Sequence, residues 1–516
     1  MFELAGIYAV YKKKELDESI VKKIRKSASK LKHRGINHRY LYEKAPIEII
    51  FYYKKKDVND LPLNFTIKDG NGEIIAIDGQ IYNLDKLNES TSEGDPIDKQ
   101  EKSDLRKILN GFDKIGSDIF KVLNGSFSGI IYKGNELFGF KDPVGAKPLY
   151  YCENEDFFII SSELKALTPL KEKINPINPG TIINSKGKAE RFYKYPEFIK
   201  DYTLTRRYIS KLTDKLNQLV KLAVADNIFE GEKVCGLLSG GIDSTIITHI
   251  AKEIVKNIHV YTVGVKGSKD LFYANKYCKK YGLNHDMIKI TLEDMLECLP
   301  DVIYALESFD VGLIRSSIPM FLISKRVKAD QGECVLLTGE GADELFGGYS
   351  YLEELDDNEI FNKELLNLLK LEYKTGLQRV DRIPYFYSIE ARAPLFDKRL
   401  VEFSFSIPPE LKIFKKKGVG AARKWIFRKA FENEIPSEFI WRKKQKFSLG
   451  AGSQFILRGY AENIISDEEF MEEKNLLSSF SLRSKEELFY WRIFKKKFNP
   501  NLEILSEIGF TGIFEL

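Results

Sequence analysis

Near its middle the chain reads Lys233-Val-Cys-Gly-Leu-Leu-Ser-Gly-Gly-Ile-Asp-Ser-Thr245. The apolar run that ends at Leu238 predicts a buried strand, the paired glycines predict a tight turn, and the residues from Ser244 to Val255 predict a helix. Two further apolar runs, 258–265 and 334–338, are separated by helical patterns and predict two more strands. Strands that alternate with helices indicate a parallel sheet, which binds ligands at the carboxyl ends of its strands.

The glycine-rich turn has the features of a phosphate-binding loop. It follows a strand and opens a helix, so its backbone N–H groups converge where an anion can bind. The lysine of a Walker A loop is absent, and Asp243 stands in the turn instead. A carboxylate there would repel a bare phosphate, but it suits a Mg²⁺ ion that bridges phosphate oxygens. The alternative is a structural turn in which Asp243 and Ser244 cap the helix.

A second glycine-rich stretch, Thr338-Gly-Glu-Gly-Ala-Asp-Glu-Leu-Phe-Gly-Gly-Tyr349, follows the strand predicted at 334–338. It clusters Glu340, Asp343 and Glu344, and carboxylates this close cost stability unless a cation or a substrate ammonium compensates. A solvated acidic turn would explain the acids, but not the buried strand and the four glycines. The sequence therefore favours a second loop of the same site.

The two halves of the chain have different patterns. Up to about residue 195, short apolar runs alternate with turn residues, and two helical stretches, 19–31 and 104–115, lie among them. This half is expected to be α+β. The second half has a helix predicted at 205–225, then the alternating strands and helices, and a mostly helical pattern from Leu365 onward.

Composition excludes several classes of protein. A chain of 516 residues with 43% hydrophobic content is expected to form two domains, and its formal charge of +5 predicts no nucleic-acid partner. The five cysteines form no CxxC pair, which argues against a disulfide framework and a structural zinc site. We find neither a signal-peptide pattern nor the uncharged span of about 20 apolar residues that a membrane helix needs. A soluble, cytoplasmic protein is expected.

Three motifs carry a resemblance to a known family: SGGxDS, TGEGADELFGGY and Ser388-Ile-Glu-Ala-Arg-Ala-Pro-Leu-Phe-Asp397. With them, the chain resembles the asparagine synthetase B family over nearly its whole length. The resemblance implies an α+β, Ntn-hydrolase-like sandwich of the glutamine amidotransferase type over residues 1–195. It implies an α/β parallel-sheet ATP pyrophosphatase domain, similar to adenine nucleotide α-hydrolases, over 205–516, with a helical C-terminal part. Such an enzyme activates aspartate as β-aspartyl-AMP, releases pyrophosphate and adds ammonia to the acyl adenylate.

The resemblance also implies roles for single residues. Glu340 would act in forming the acyl adenylate and handling the nitrogen, Arg315 would face substrate and phosphate, and Lys444 would stabilise negative charge. A cation is needed there because charge builds up on the departing pyrophosphate, although a solvated basic run is the alternative for Lys444. Mg²⁺ would be bound by Asp243 and Asp343. ATP would be held by Leu238, Ser239, Gly240, Gly241, Asp243, Ser244, Val263, Thr338 and Gly339.

The N-terminal half departs from the family where glutamine would be hydrolysed. Ala5 stands at the position of the family's cysteine nucleophile, and four residues precede it. The family's Asn-Gly-Glu is replaced by Asp78-Gly-Gln80, whose anionic Asp opposes an oxyanion and whose neutral Gln cannot pair an ammonium. Scaffold segments that resemble the family, such as His33-Arg-Gly35, predict that the domain folds nevertheless. The expected nitrogen donor is ammonia, free or from a separate glutaminase, or another amine.

Two other interpretations stay open. Gly312 and Leu313 replace a Thr-Thr pair of the best-known family members, which weakens the assignment of aspartate as acceptor. The chain therefore also resembles β-lactam synthetases, which join other carboxylates and amines, although Glu340 and the DELFGGY run favour the asparagine type. A non-catalytic partner of an active synthetase is disfavoured by the clustered charges. Small molecules are the expected partners, and a homodimer is open.

Overall fold

A computed structural model describes residues 5–35, 38–53, 64–68, 72–84, 87, 105–416, 420–442, 453–477, 480–500, 502 and 504. The chain divides into two compact units. One contains the described residues of Met1–Lys194 and Phe498–Ile508, and the other those of Tyr195–Lys497 and Gly509–Leu516. A search of the described helices for a long apolar membrane-crossing segment finds none.

The first unit contains twelve strands among its described residues, arranged in two antiparallel sheets. They are β1 (Ala5–Lys12), β2 (His38–Lys44), β3 (Ile47–Tyr53), β4 (Phe65–Lys68), β5 (Glu73–Ile81), β6 (Gly125–Lys133), β7 (Glu136–Lys141), β8 (Tyr150–Glu153), β9 (Phe157–Ser161), β10 (Ile174–Pro176), β11 (Thr181–Asn184) and β12 (Ala189–Arg191). The strand orders are β10-β8-β9-β1-β3-β2 and β12-β11-β7-β6-β5-β4. Its helices are α1 (Glu18–Ala28), α2 (Leu105–Ile115) and α3 (Ile119–Val122).

The two sheets share one core because side chains alternate along each strand. Ala5, Ile7 and Ala9 of β1 enter the same buried cluster as Ile74 and Ala76 of β5, so each sheet contributes every second residue. The other face of β1 lies against the residues that follow α1. The predicted α+β sandwich is confirmed.

The second unit is built on a five-stranded parallel sheet with the order β15-β14-β13-β16-β17. Its strands are β13 (Val234–Leu237), β14 (His259–Gly264), β15 (Asn284–Lys289), β16 (Val335–Leu337) and β17 (Glu390–Arg392), and two small antiparallel pairs add β18 (Ile413–Lys416), β19 (Gly420–Arg423), β20 (Asn475–Leu477) and β21 (Phe480–Ser481). The chain leaves β13 toward β14 and leaves β16 toward β17, in opposite directions. This reversal creates a crevice at the carboxyl ends of β13 and β16, where such sheets bind ligands.

Helices make up most of the rest of the second unit, as the sequence predicts. Local signals set their ends: the Thr205 side chain caps the helix that starts at Arg206, and Thr291 and Asp294 form a capping box. The helices are α4 (Arg206–Asp226), α5 (Ile242–Ile254), α6 (Lys269–Tyr281), α7 (Leu292–Leu306), α8 (Val311–Gln331), α9 (Ala342–Phe346), α10 (Asn358–Leu371), α11 (Gly376–Tyr385), α12 (Lys398–Ser404), α13 (Pro409–Lys412), α14 (Trp425–Phe431), α15 (Ser437–Ile440), α16 (Ser453–Ile464), α17 (Asp467–Glu473) and α18 (Lys485–Phe498). The predicted α/β class with a helical C-terminal part is confirmed.

Candidate active site

Hydroxyl groups hold the shape of the turn that joins β13 to α5. The Ser239 backbone N–H donates to Ser244 Oγ at 3.1 Å, and the two serine Oγ atoms lie 3.0 Å apart. Thr245 Oγ1 donates to the Gly241 carbonyl oxygen at 2.7 Å. Gly241 precedes α5, and no described side chain caps this end of the helix. The first-turn N–H groups are therefore directed at a ligand position in the crevice.

The second glycine-rich stretch, residues 338–349, which we call the acidic loop, lies directly against this turn. A Cβ atom on Gly339 would stand 2.5 Å from the Ser244 backbone nitrogen and 2.8 Å from the Asp243 carbonyl carbon, closer than a side chain allows. Thr338, the preceding residue, is 1% exposed and donates its backbone N–H to the Arg392 carbonyl oxygen at 2.9 Å. The two glycine-rich motifs therefore meet at the crevice, and glycine at position 339 is required for the approach.

Asp243 and Asp343 converge on one cation, Lys424. Its Nζ atom lies 2.6 Å from Oδ2 of Asp243 and 2.7 Å from Oδ1 of Asp343. The lysine side chain is fully buried, while the two carboxylates are 18% and 22% exposed. Burial alone would lower the pKa of the Lys424 ammonium, but the carboxylates outweigh that effect and raise the pKa. The predicted metal ligands thus lie together, with a lysine between them.

Two buried acids lie nearby: Glu344 of the second motif, beside Asp343, and Glu372, which is outside it. Burial raises the pKa of Glu344 to about 7, and the neighbouring Asp343 and Glu340 add to the effect. The Tyr349 hydroxyl donates to Glu344. Glu372, 6% exposed, also has a raised pKa because of burial and the nearby Glu344. Protonation, as well as cations, therefore relieves the repulsion within this acidic cluster.

Glu340 forms an ion pair with Arg379 of α11. Arg379 Nη2 donates to Glu340 Oε1 at 2.7 Å, and its Nη1 donates to Ser316 Oγ of α8 at 2.5 Å. The Glu340 side chain is 30% exposed and that of Arg379 is 13% exposed. A carboxylate and a guanidinium therefore lie side by side next to the acidic loop, where they can meet a substrate that carries both charges.

Arg315 is tied to the C-terminal helix α18. Its Nε atom donates to Glu486 Oε1 at 3.0 Å, its Nη2 atom donates to Glu486 Oε2, and both side chains are buried. Glu486 also accepts a hydrogen bond from the Tyr490 hydroxyl at 2.6 Å. Both oxygens of the carboxylate are thus engaged by this arginine. The role of Arg315 toward substrate and phosphate stays a prediction.

Lys444 lies outside the described residues, but Arg442, shortly before it, contacts the nucleotide turn. Arg442 donates to the Gly240 carbonyl oxygen and, at 2.8 Å, to Asp270 Oδ1. Its guanidinium carbon lies 4.2 Å from the centre of the Tyr273 ring. The chain that leads into the Lys444 segment is therefore anchored to the turn.

Sequence analysis assigned no role to the cations Lys424, Arg379 and Arg442. Lys424 and Arg379 belong to no motif, and Arg442 stands in the basic run two residues before Lys444. Lys424 had one detectable signal, since it stands directly before the apolar Trp-Ile-Phe run that opens α14. Lysine is almost never fully buried unless it is paired. Two other residues predicted to contact the nucleotide, Leu238 and Val263, are buried. Leu238 directly follows β13, and Val263 lies near the end of β14.

In the first unit, Ala5 and Asp78, which stand where a glutaminase would have functional residues, both contact Arg34. Arg34 Nε donates to the Ala5 carbonyl oxygen at 3.0 Å, Nη2 donates to Asp78 Oδ2 at 2.7 Å and Nη1 donates to Glu163 Oε1 at 2.7 Å. All four residues are 0% exposed, and Gln80 is 2% exposed. An ion-pair cluster therefore lies next to Ala5 and contacts its backbone carbonyl oxygen.

Glu163 sits at the centre of that cluster. It accepts a hydrogen bond from Lys165 Nζ at 2.6 Å, and one of its oxygens lies 3.0 Å from His33 Nε2. Burial would raise the pKa of the Glu163 carboxyl, but His33 and the cations beside it hold the pKa well below its usual range. The cluster is thus satisfied internally, as buried charges require.

Comparison with known proteins finds a matching family model for each half of the chain. The family model described as asparagine synthase matches residues 215–371 and 353–503, and the model described as glutamine amidotransferase domain matches residues 4–188. A relative from Dictyostelium discoideum, named a probable asparagine synthetase (glutamine-hydrolyzing), is 30% identical and covers 98% of this chain and 95% of its own length.

Two plant relatives also carry the name asparagine synthetase (glutamine-hydrolyzing) 2. The protein from Lotus japonicus is 28% identical over 96% of this chain and 87% of its own length. The protein from Oryza sativa is 30% identical over 84% of this chain and 76% of its own length. The fold, the paired loops and these matches define an ATP-dependent enzyme that forms carbon–nitrogen bonds. The chain belongs to the asparagine synthase family.

Proposed function

We propose that this ligase activates the side-chain carboxylate of aspartate with ATP, forms β-aspartyl-AMP and pyrophosphate, and amidates the adenylate to asparagine. The observation that carries the proposal is the contact between the two glycine-rich loops, which brings Asp243 and Asp343 onto one cation position. The synthetase reaction is assigned to residues 205–516, and residues 1–195 are assigned as an amidotransferase-like domain without glutaminase activity.

The donor set at this position suits Mg²⁺. Two carboxylate oxygens reach a single ammonium at 2.6 and 2.7 Å, so they are aimed at one point that a small cation can occupy. No cluster of three His, Cys, Asp or Glu ligands occurs among the described residues, and Mg²⁺ commonly takes one or two carboxylates with phosphate and water. When bound, the ion would neutralise charge on the phosphates, with Asp243 and Asp343 as its protein ligands.

In the first step, a carboxylate oxygen of aspartate bonds to the α-phosphorus of ATP, and the bond from that phosphorus to the bridging oxygen of pyrophosphate breaks. The turn from Ser239 to Ser244 would bind the phosphates through backbone N–H groups and hydroxyls. Arg442 holds the Gly240 carbonyl oxygen and thereby positions this turn. Lys444 and Arg315 are proposed to stabilise the charge that develops on the phosphates.

In the second step, the nitrogen of ammonia bonds to the acyl carbon, the bond from that carbon to the AMP oxygen breaks, and a proton leaves the nitrogen. Glu340 is proposed to accept that proton. Its side chain is 30% exposed, and its ion pair with Arg379 sets its orientation. The neighbouring guanidinium would at the same time attract the α-carboxylate of aspartate.

We propose that this chain differs from its relatives in its nitrogen donor. The names of those relatives state that they hydrolyse glutamine. Ala5 has no nucleophilic atom, and its own nitrogen is part of a peptide bond. Its carbonyl oxygen is bound by Arg34, which pairs with Asp78 and Glu163. Ammonia is therefore proposed to reach the second unit from solution or from a separate glutaminase.

A screen of carboxylates against amines tests the proposal, with pyrophosphate release from Mg-ATP as the readout. We expect release with aspartate and ammonium, stoichiometric asparagine, and no product when glutamine replaces ammonium. Turnover with another carboxylate alone would identify a ligase of the β-lactam synthetase kind. An absence of ATP binding would leave the non-catalytic interpretation. Glutamate released from glutamine would refute the assignment of the donor.

A further inference from the structure

Lys424 reaches its two carboxylates from an unusual position in the chain. It has φ +54° and ψ +35°, the left-handed region, and it immediately precedes α14. The first backbone hydrogen bond of that helix, from the Arg428 N–H to the Lys424 carbonyl oxygen, is 2.9 Å long. A non-glycine residue in this conformation is costly unless the surrounding structure requires it. The chain therefore holds this backbone strained where the ammonium meets Asp243 and Asp343.

The second motif has a glycine, Gly348, at the point where the Lys424 side chain passes. A Cβ atom on Gly348 would stand 2.3 Å from Lys424 Cε and 1.6 Å from Asp343 Oδ1. Arg423, the residue before the lysine, donates to the Gly348 carbonyl oxygen at 3.1 Å. The last glycine of the motif is thus explained by the path of the Lys424 side chain, and the two segments are held together at this point.

The ammonium and a metal ion compete for the same atoms. Lys424 is bonded to Oδ2 of Asp243 and Oδ1 of Asp343 at 2.6 and 2.7 Å. Mg²⁺ binds carboxylate oxygens at about 2.0–2.1 Å, so an ion on these two oxygens would lie close to the ammonium, and the two cations would repel each other strongly. The nearby Arg428 donates to the carbonyl oxygens of Arg423 and Arg442, so that guanidinium is engaged elsewhere.

We propose that Lys424 is an internal counter-ion, which holds Asp243 and Asp343 together before the nucleotide binds and is displaced by the metal that arrives with it. This proposal rests on the proposed function, because it takes these two carboxylates as the metal ligands. The displaced ammonium would turn to the phosphate oxygens that enter with the ion. Metal alone must therefore bind weakly, and metal and nucleotide must strengthen each other's binding.

Mn²⁺ binding without nucleotide, followed by electron paramagnetic resonance of the free ion, tests this exchange without any need for turnover. In Lys424→Met the competing charge is gone, and we expect Mn²⁺ to bind about tenfold or more tightly than in the wild type. A non-hydrolysable ATP analogue should tighten Mn²⁺ binding less in the variant than in the wild type. Lys424→Gln, which keeps a neutral donor, provides the same comparison if the methionine variant does not fold.

Lys412→Met is the matched control. Lys412 is also in the second unit and is 1% exposed, but its ammonium lies over the Phe198 ring, 5.3 Å from the ring centre. Its replacement should leave Mn²⁺ affinity at the wild-type value. Equal or weaker Mn²⁺ binding in the Lys424 variants, including no binding in any protein, would overturn the counter-ion proposal. If Asp343→Asn keeps wild-type Mn²⁺ binding, the metal assignment in the proposed function fails as well.

Discussion

Gly339 and Ser244 come from different strand ends, yet a Cβ atom on residue 339 would stand 2.5 Å from the backbone nitrogen of residue 244. The approach places the acidic loop after β16 against the nucleotide turn after β13. Because neither loop can move away without losing contact with the other, the glycine-rich turn and the acid-bearing loop form one unit.

Replacement of Gly339 by Ala should therefore displace the nucleotide turn. We expect a loss of about 1–3 kcal/mol in the free energy of unfolding, because a methyl group is forced into backbone atoms. The KM for ATP in pyrophosphate release should rise at the same time. Gly459→Ala is the control, since a Cβ there meets open space within α16 and should be neutral or gain up to about 1 kcal/mol from helix propensity. Wild-type KM in Gly339→Ala would contradict the contact.

Replacement of Glu340 by Gln keeps the shape of the side chain and removes its charge. We expect the kcat for ammonium-dependent asparagine formation to fall about 10²-fold or more, because the proposed proton acceptor is lost, with little change in the KM for ATP. Glu364→Gln serves as the control, since that carboxylate accepts a hydrogen bond from the Tyr351 hydroxyl at 2.8 Å outside this cluster. An unchanged kcat in Glu340→Gln would remove Glu340 from the mechanism.

Introducing the missing thiol should not restore glutaminase activity. Ala5→Cys provides a sulfur atom, but its α-nitrogen stays in a peptide bond, and the Ala5 carbonyl oxygen is still bound by Arg34, which pairs with Asp78. We expect no glutamate from glutamine and unchanged pyrophosphate release with ammonium. Glutamate formation by this variant would mean that the first unit has kept a working glutamine site.

The ion-pair cluster of the first unit should be important for its stability. Arg34→Met leaves Asp78 and Glu163 without their shared cation, and breaking a buried pair in this way costs about 3–5 kcal/mol. Hydrogen exchange measured by mass spectrometry on β1 and β5 should speed up accordingly. Lys22→Met is the control, because the pair of Lys22 with Glu18 is exposed and contributes about 0.5 kcal/mol or less. Equal exchange in both variants would contradict a stabilising cluster.

Lys412 should make the stability of the second unit depend on pH. Burial lowers its pKa from 10.5 to about 7. The unfolded chain binds the proton more tightly, so the burial penalty is full below about pH 7 and disappears as the pH rises toward 10.5. Lys412→Met should therefore be more stable than the wild type near pH 7, by up to about 1.4 kcal/mol for each unit of pKa difference, and this advantage should shrink by pH 10. Thermal unfolding at several pH values measures the difference, and a constant difference would contradict it.

Local sequence was sufficient for the elements that form the site. The strand, turn and helix from Val234 to Ile254 follow from an apolar run, paired glycines and a helical pattern within a few residues of each other. The two loops could also be assigned to one site, since parallel strands end at one edge of the sheet. The individual roles predicted for Arg315 and Lys444 are still untested.

Contacts between residues far apart in the chain could not be predicted from local sequence patterns. Lys424 lies 181 residues from Asp243 in the chain, and Arg379 lies 39 residues from Glu340. Neither cation belongs to a periodic pattern or a motif, so nothing in its neighbourhood identifies its partner. The pairing of Arg315 with Glu486, 171 residues away, is of the same kind.

The sequence alone determined that this chain has a glycine-rich turn and an acidic loop at the ends of parallel strands, and that it lacks a nucleophile at Ala5. These are properties of local spacing and residue type. The tertiary structure decided that Lys424 occupies the position between Asp243 and Asp343 and that Arg34 binds the Ala5 carbonyl oxygen. The physical reason is that buried charges must be paired, and which partner reaches them depends on how the whole unit packs.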